Sequence, residues 1–352
     1  MDSHSPVPQA QLAAILGADP APFEALISHL MSSSNEHRSQ AELIFNLCKQ
    51  LDPNALVLKL AQLLQLSPHT EARGMSAVLL RKQLTQDDSL VWNLLSPATR
   101  CSVKSILLTC VQNEEVKSIM KKLCDTISEL ASTILPENGW PELLPFMFQC
   151  VSSESSPKLQ ESAFLIFAQL SQYVGEAAVY GLGVCAEHGG SVIKPLIGEA
   201  LSKLSFVIRH PNALQPDNVM AYDNAVSALG KVCHFHRDSI DSAQVIPAWL
   251  SCLPIKDDLI EAKSVHDLLC SMIERLSATE LLGPNNQHLP KIISIFAEIL
   301  CAGKELASDE TLNRIINLLR QLQQTLPPAT LASTWSTLQP QQQLALQSIL
   351  SS

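Results

Sequence analysis

At 352 residues, with 46% hydrophobic and 16% charged side chains, the chain is too apolar to be disordered. It is long enough for two globular domains or for one solenoid of about eight helix pairs. Its formal net charge of −10 is evenly shared, with 12 basic and 17 acidic residues in 1–175 and the same numbers in 176–352. No Lys/Arg-rich stripe exists to track a phosphate backbone, so direct nucleic-acid binding is not expected, and the mildly acidic surface favours basic protein partners. Aromatic content of 5% with abundant Leu, Ala, Ser and Gln suits Leu/Ala-packed helices better than a β-sandwich. No apolar stretch reaches the ~18 residues of a membrane span, so no membrane insertion is expected. Met1-Asp2-Ser3-His4-Ser5-Pro6 lacks the features of a secretory signal, which points to a soluble intracellular chain. The ten cysteines stand singly, mostly in apolar helical runs and never as C-x-x-C, and read as small buried hydrophobes.

In chain order, residues 1–22 form a leader punctuated by Pro6, Pro8, Pro20 and Pro22, with one short helix near 9–17. A first helix pair runs 23–31 and 35–50 and closes at Asp52-Pro53, where proline cannot continue the helix. The second, 53–66 and 70–84, turns at Ser67-Pro68. In the third, 97–112 and 114–135, Ser96-Pro97 supplies a cap and a proline at the first helical position. Pro136 to Gly139 breaks the chain before helices at 141–152 and 157–174. Beyond Gly175 the pattern predicts helices at 176–187, 191–208, 217–236, 242–252, 257–277, 288–302 and 309–325. After Pro327-Pro328 comes a Gln/Ser/Thr-rich segment, 329–350, whose Gln339–Gln343 stretch suits the outer face of a terminal capping helix; a disordered tail is the alternative. Almost no run alternates as a half-buried strand does, so the fold class is all-α.

The helices carry a returning phrase: a polar lead-in, a small residue, then a densely apolar run. It reads His37-Arg38-Ser39-Gln40-Ala41 before Glu42-Leu43-Ile44-Phe45, Ala72-Arg73-Gly74-Met75-Ser76 before Ala77-Val78-Leu79-Leu80, and Leu159-Gln160-Glu161-Ser162-Ala163 before Phe164-Leu165-Ile166-Phe167. Taking the small residue as phase mark, with Met120 in a weaker copy, the marks fall at 41, 76, 120, 163, 178 and 225, so the intervals are 35, 44, 43, 15 and 47. Four intervals fit a HEAT/armadillo-type helical-repeat solenoid. The interval of 15 is too short for a helix pair. Glu161/Glu176, Ala163/Ala178 and Gly175/Gly190 superimpose at that offset, so two second-type helices follow one another with no first-type helix between them. Weak protection is expected around 170–192, where a helix lacks one neighbour.

Chemical motifs are sparse. Gly181-Leu182-Gly183-Val184-Cys185-Ala186 fits the dinucleotide fingerprint G-x-G-x-x-A, but Glu199, near the required distance, lies within a helical pattern. Its small residues read as sites of close helix packing, like those of Ala225-Val226-Ser227-Ala228-Leu229-Gly230. Cys233-His234-Phe235-His236 lacks a second Cys/His cluster and reads as a helix C-terminus, with His and Arg237 placed against the dipole. Asp87-Asp88 and Asp257-Asp258 read as helix caps. No nucleophile elbow, phosphate loop or zinc-protease motif is present, so neither catalytic residues nor a cofactor nor a metal is expected. Basic residues concentrate on second helices: Arg38, Arg73, Arg81 and Lys82 on the first two pairs, and Lys117, Lys121 and Lys122 on the third. A solvated face is one reading; a basic strip that meets an acidic partner is the other.

Glu71-Ala72-Arg73-Gly74-Met75-Ser76-Ala77-Val78-Leu79-Leu80-Arg81-Lys82 with the following Trp92 resembles the N-terminal HEAT repeats of the importin-β (karyopherin-β) family. Ala177-Ala178-Val179-Tyr180-Gly181-Leu182-Gly183-Val184-Cys185-Ala186, His210-Pro211-Asn212-Ala213, Asp223-Asn224-Ala225-Val226-Ser227-Ala228-Leu229-Gly230-Lys231 and Trp249-Leu250-Ser251-Cys252-Leu253-Pro254 resemble the C-terminal repeats of its importin β-3 (importin-five type) branch. The glutamine-rich ending is similar to plant members of that branch.

The resemblance implies a nuclear transport receptor of cytoplasm, nucleus and nuclear pore, with three classes of partner. These are the GTP form of the Ran GTPase, cargo proteins with basic localisation signals, and Phe-Gly nucleoporins held between neighbouring outer helices. It further implies that Ran docks on the second helices of the N-terminal repeats, here 35–50, 70–84 and 114–135, with Arg38, Arg73, Arg81, Lys82, Lys117 and Lys121 as candidate contacts. Set against full-length relatives, the chain reads as N-terminal repeats of the Ran-docking type, 23–175, followed by C-terminal repeats with a polar cap, 176–352, and a seam near 175/176. The expected form lacks the central repeats and has impaired cargo binding. A generic HEAT-repeat scaffold without Ran dependence is the alternative.

Overall fold

The computed structural model describes residues 9–86, 91–152, 156–171, 175–275 and 282–351. Among these residues there are α-helices, short 3₁₀ turns and one π turn, and no strand. The chain falls into two compact units, 1–150 and 151–352. The pair Asp87-Asp88 lies outside the described residues.

The first unit holds α1 (Gln9–Leu16), α2 (Ala21–Leu30), α3 (Asn35–Leu51), α4 (Pro53–Leu66), α5 (Thr70–Arg81), α6 (Val91–Leu94), α7 (Pro97–Asn113), α8 (Lys117–Ile134) and α9 (Leu143–Val151), the last ending at the division between units. Polar side chains set the helix starts. The hydroxyl of Ser96 accepts from the Thr99 amide at 3.2 Å, and the Asp52 carboxylate accepts from the Ala55 amide at 3.0 Å, each in front of a proline at the first helical position. Helix α5 packs against α4 and α8, and α4 against α7, so first helices stack on first helices and second on second. Leu56, Val57, Leu60 and Ala61 of α4 and Leu123, Cys124, Ile127 and Ala131 of α8 are fully buried by that stacking.

The second unit holds α10 (Pro157–Leu170), α11 (Gly175–His188), α12 (Ile197–Ile208), α13 (Val219–Phe235), α14 (Ser242–Ser251), α15 (Leu259–Arg275), α16 (Leu289–Ala302), α17 (Asp309–Thr325), α18 (Pro328–Ser336) and α19 (Pro340–Ser351). Helices α11, α13, α15 and α17 stack in that order. Between α13 and α15 two ties share one sequence separation of 34 residues: the Asn224 amide to Asp258 Oδ2, and Ser227 Oγ to Glu261. A steady separation along two helices means that both run in the same direction. In α13 every residue from Asp223 to Cys233 is buried, because α11, α12, α14 and α15 surround it.

Several expectations change here. The 15-residue interval brings α10 and α11 directly into contact, and α11 packs on α13 as well, so α11 does not lack a neighbour. Residues 190–196 form two 3₁₀ turns, and the helix expected from 191 begins at Ile197, after Pro195. The glutamine-rich ending is two helices; Gln339 and Gln341 are exposed as on an outer face, but Gln342 is buried and donates to Ser294 Oγ at 3.3 Å. His236 is buried and neutral in tendency: desolvation pushes its pKa down and its Nε2 bonds a carbonyl, so it is no cation for a helix dipole. Burial likewise lowers His266 to about 4 while its Nδ1 bonds the Leu306 carbonyl at 2.9 Å. Asp258 does cap α15, accepting from the Ile260 and Glu261 amides at 3.1 and 3.0 Å.

The glycines of the fingerprint-like stretch sit in mid-helix where two elements close on each other. A Cβ at Gly181 would stand 2.3 Å from the Phe167 ring, and one at Gly183 would stand 3.2 Å from Ala228 Cβ. Gly198 of α12, by contrast, has nothing within 4 Å of such a Cβ. Gly181→Ala is expected to destabilise the protein by about 1–3 kcal/mol through overpacking, and Gly198→Ala to be neutral or stabilising by up to ~1 kcal/mol; denaturant unfolding of both variants checks the contrast. Native-state hydrogen exchange should show the amides of 179–186 in α11 protected to the degree of those in α13. Fast exchange in α11 would mean that its two neighbours do not hold it.

Candidate functional site

The five candidates Arg73, Arg81, Lys82, Lys117 and Lys121 come together on the α5/α8 pair. Thr126 Oγ1 lies 3.4 Å from the Ala77 carbonyl, and Ile119 and Lys122 stand over Gly74, where a Cβ would meet Lys122 Nζ at 3.5 Å. Arg38 is elsewhere: α3 packs on α1, α2 and α4, and the Arg38 guanidinium turns back to Asn35 Oδ1 at 2.5 Å within its own first turn.

The arginines are already engaged. Arg73 Nε and Nη2 donate to the two carboxylate oxygens of Glu114 at 2.9 and 3.2 Å, and Nη1 donates to the Ser67 carbonyl at 3.0 Å. Glu114 also accepts from the Val116 amide at 2.8 Å in front of α8. With the Arg73 side chain 16% and that of Glu114 6% exposed, this two-pronged pair is a tie between helix pairs. Arg81 Nη1 lies 3.4 Å from Asp125 Oδ2 and its Nη2 donates to Glu129. The hydrogen bond to Glu129 leads the effects that raise the Arg81 pKa. Thr85 Oγ1 donates to the other oxygen of Glu129 at 2.7 Å and so fixes that carboxylate.

Lys82, at the start of the π turn Lys82–Gln86, and Lys117, Lys121 and Lys122 on α8 are all exposed. Lys117 and Lys121, four apart, share one helix face. The sequence reading missed Glu114, Asp125 and Glu129. Each lies one repeat along from its arginine, at separations of 41, 44 and 48 residues, so a search for opposite charges one repeat interval apart finds all three.

A second feature lies between α2 and α4, first helices of successive pairs. A groove of about 320 Å³ is walled by Pro20, Phe23, Leu63, Leu66 and Pro68. Leu66 is 72% exposed. At its rim Glu24 accepts from Ser67 Oγ at 2.5 Å and contacts His69 Nδ1 at 2.9 Å, and the Ser67 bond leads in holding the Glu24 pKa below its usual value. Among the described residues no helix is long and apolar enough to cross a membrane, and no group of three metal-ligating side chains occurs.

Arg73→Gln is expected to cost about 3 kcal/mol, since it leaves the buried Glu114 carboxylate unpaired. The double change Arg73→Gln/Glu114→Gln should recover part of that loss. Thermal melts of the single and double variants measure the coupling; additive losses would show that the pair is not a tie.

The family model described as "IPO5-like, TPR repeats" matches residues 115–184, which include α8, α10 and most of α11. The chain is 29% identical over 196 residues to the probable importin-5 homolog of Dictyostelium discoideum, covering 54% of this chain and 16% of that protein. It is 29% identical over 287 residues to importin-4 of Mus musculus, covering 80% of this chain and 23% of the relative. The chain thus spans less than a quarter of the length of these relatives. In structure it is similar to the crystal structure of Kap121p bound to RanGTP, at 18% identity and a TM-score of 0.38, over 98% of this chain and 36% of that one. On an all-helical chain of stacked pairs, the sequence matches are thus to importins of the importin-β family.

Proposed function

We propose that the chain is a nuclear transport receptor of the importin β-3 type, or the portion of one, that docks the GTP form of Ran on α5 and α8. The observation that carries this reading is the convergence of exposed Lys82, Lys117, Lys121 and Lys122 on two parallel second helices, with Arg81 one-third exposed beside them. Four of the six candidate contacts, Arg81, Lys82, Lys117 and Lys121, thus belong to this surface, while Arg73 is committed to Glu114 and Arg38 lies on α3. Lysines on a rigid two-helix platform attract an acidic surface at long range and fix its orientation on contact.

The groove between α2 and α4 fits the nucleoporin part of the proposal. Its apolar walls and exposed Leu66 offer a slot for an aromatic side chain between outer helices. In this reading the protein works in cytoplasm and nucleus and passes the pore through such contacts, while cargo with basic signals is held elsewhere on the acidic surface.

The deciding experiment is capture of purified Ran loaded with GTP or with GDP. Binding that prefers the GTP form supports the proposal. Lys117→Glu/Lys121→Glu should weaken that binding by about tenfold or more with an unchanged melting temperature. Equal binding of both nucleotide forms, or none, leaves a scaffold without Ran dependence as the better description.

A further inference from the structure

The two arginines on α5 are held by carboxylates, Arg73 by Glu114 in front of α8 and Arg81 by Asp125 and Glu129 on α8, but not in the same way. Arg73 and Glu114 are almost out of solvent, whereas Arg81, Asp125 and Glu129 retain side-chain exposures of 34%, 22% and 29%. The first pair is a fixed tie. The second trio is an ion-pair cluster at the surface, reachable from solvent and next to the exposed lysines.

We propose that Asp125 and Glu129 act as an internal stand-in for an acidic partner: they occupy Arg81 in the free protein, and a partner carboxylate docks by displacing them. The inference rests on the reading of α5/α8 as a docking surface for an acidic partner. Asp125 and Glu129 are four apart on α8 and so present two carboxylates on one face, each taking one terminal nitrogen of the Arg81 guanidinium. Thr85 holds Glu129 in that pose from the α5 side. The arrangement is therefore already the complex that an incoming acidic segment has to reproduce. A partially exposed ion pair is weak enough to exchange, since its net worth in water is about 0–1 kcal/mol, while an intramolecular competitor is always present at high effective concentration.

Two consequences follow for recognition. A single stray carboxylate gains little by replacing an equivalent one, whereas a partner that also engages Lys82, Lys117 and Lys121 gains enough to shift the exchange; the internal pair thus discriminates against weakly acidic competitors. Release of Asp125 and Glu129 also removes ties between α5 and α8 at their C-terminal ends and leaves the Arg73–Glu114 tie at the other end, so the exchange loosens one end of this interface and spares the other.

The test measures affinity of the full chain for GTP-loaded Ran and, independently, for a hexaglutamate peptide. The variants are Asp125→Asn/Glu129→Gln, Arg81→Gln, the triple combination, and a charge-matched control, Glu137→Gln/Glu142→Gln, at two exposed positions. Neutralising Asp125 and Glu129 is expected to tighten binding by about fivefold, the control by less than about twofold, and the gain should vanish when Arg81 is glutamine. Glu129→Gln alone, with a smaller gain, serves if the double variant melts early. Tightening that persists in the Arg81→Gln background, or equals that of the control, overturns the proposal, as does no tightening toward either probe. A gain that depends on Arg81 with hexaglutamate, in a protein that ignores both Ran forms, upholds the stand-in and removes Ran as its partner.

Discussion

Everything in this chain depends on one constraint: a helix pair two layers thick cannot bury its own apolar faces, so each pair is folded only as far as its neighbour covers it. Fully buried Leu60 and Leu64 of α4 face one neighbour's helices, and fully buried Leu123 and Ile127 of α8 are covered from α5. Apolar burial is non-directional, and by itself it permits one pair to slide along the next by a turn. The polar ties prevent that. They fix register at each step: Arg73 on Glu114 in the first unit, and in the second Ser227 on Glu261, Asn224 on Asp258 and Arg314 on Asp267 and Glu274.

The chemistry of these ties changes along the chain, and the change has physical meaning. Between α13 and α15 the tie is built from short side chains. Asp223 accepts from the Asp257 and Asp258 amides, and the whole cluster is buried, so desolvation pushes the Asp223 carboxyl above its ordinary pKa despite those two donors. Short buried ties allow little relative motion. At Arg81 between α5 and α8, and at Arg314 between α15 and α17, the ties are arginine forks on long, partly solvated stems. Such ties break and re-form at little cost, so these are the steps at which bending or partner exchange is cheapest.

Much of the fold was legible in the sequence because its punctuation is local. Ser96-Pro97, Asp52-Pro53 and the Ser156-Pro157 turn start helices through caps and fixed φ values that act within four residues, and the helices begin there. What escaped depends on distant neighbours. His236 has the sequence surroundings of a solvent-exposed helix end, yet α11 covers it. Gln342 belongs to a polar run, yet α16 takes its amide. The helix Val91–Leu94 is a single turn too short to show periodicity, and it is held by burial of Val91 and Trp92 and by Arg100 over the Trp92 ring. The basic candidates were visible as charges, but whether each was committed or exposed was not, because that is decided by carboxylates more than forty residues away.

That division between committed and exposed cations bears on how such a surface can be specific. Exposed lysines act through a field that ordinary salt attenuates within about 8 Å, and a field attracts any acidic surface. Geometric selection needs a planar fork of donors, which a guanidinium supplies. On α5/α8 the two kinds of group stand side by side: Lys117 and Lys121 on an exposed face, and Arg81 held rigid by groups that it must give up. Attraction and discrimination are thereby separated onto different residues. In the proposed docking, the lysines raise the encounter rate for every acidic candidate, and the exchange at Arg81 decides which of them stays.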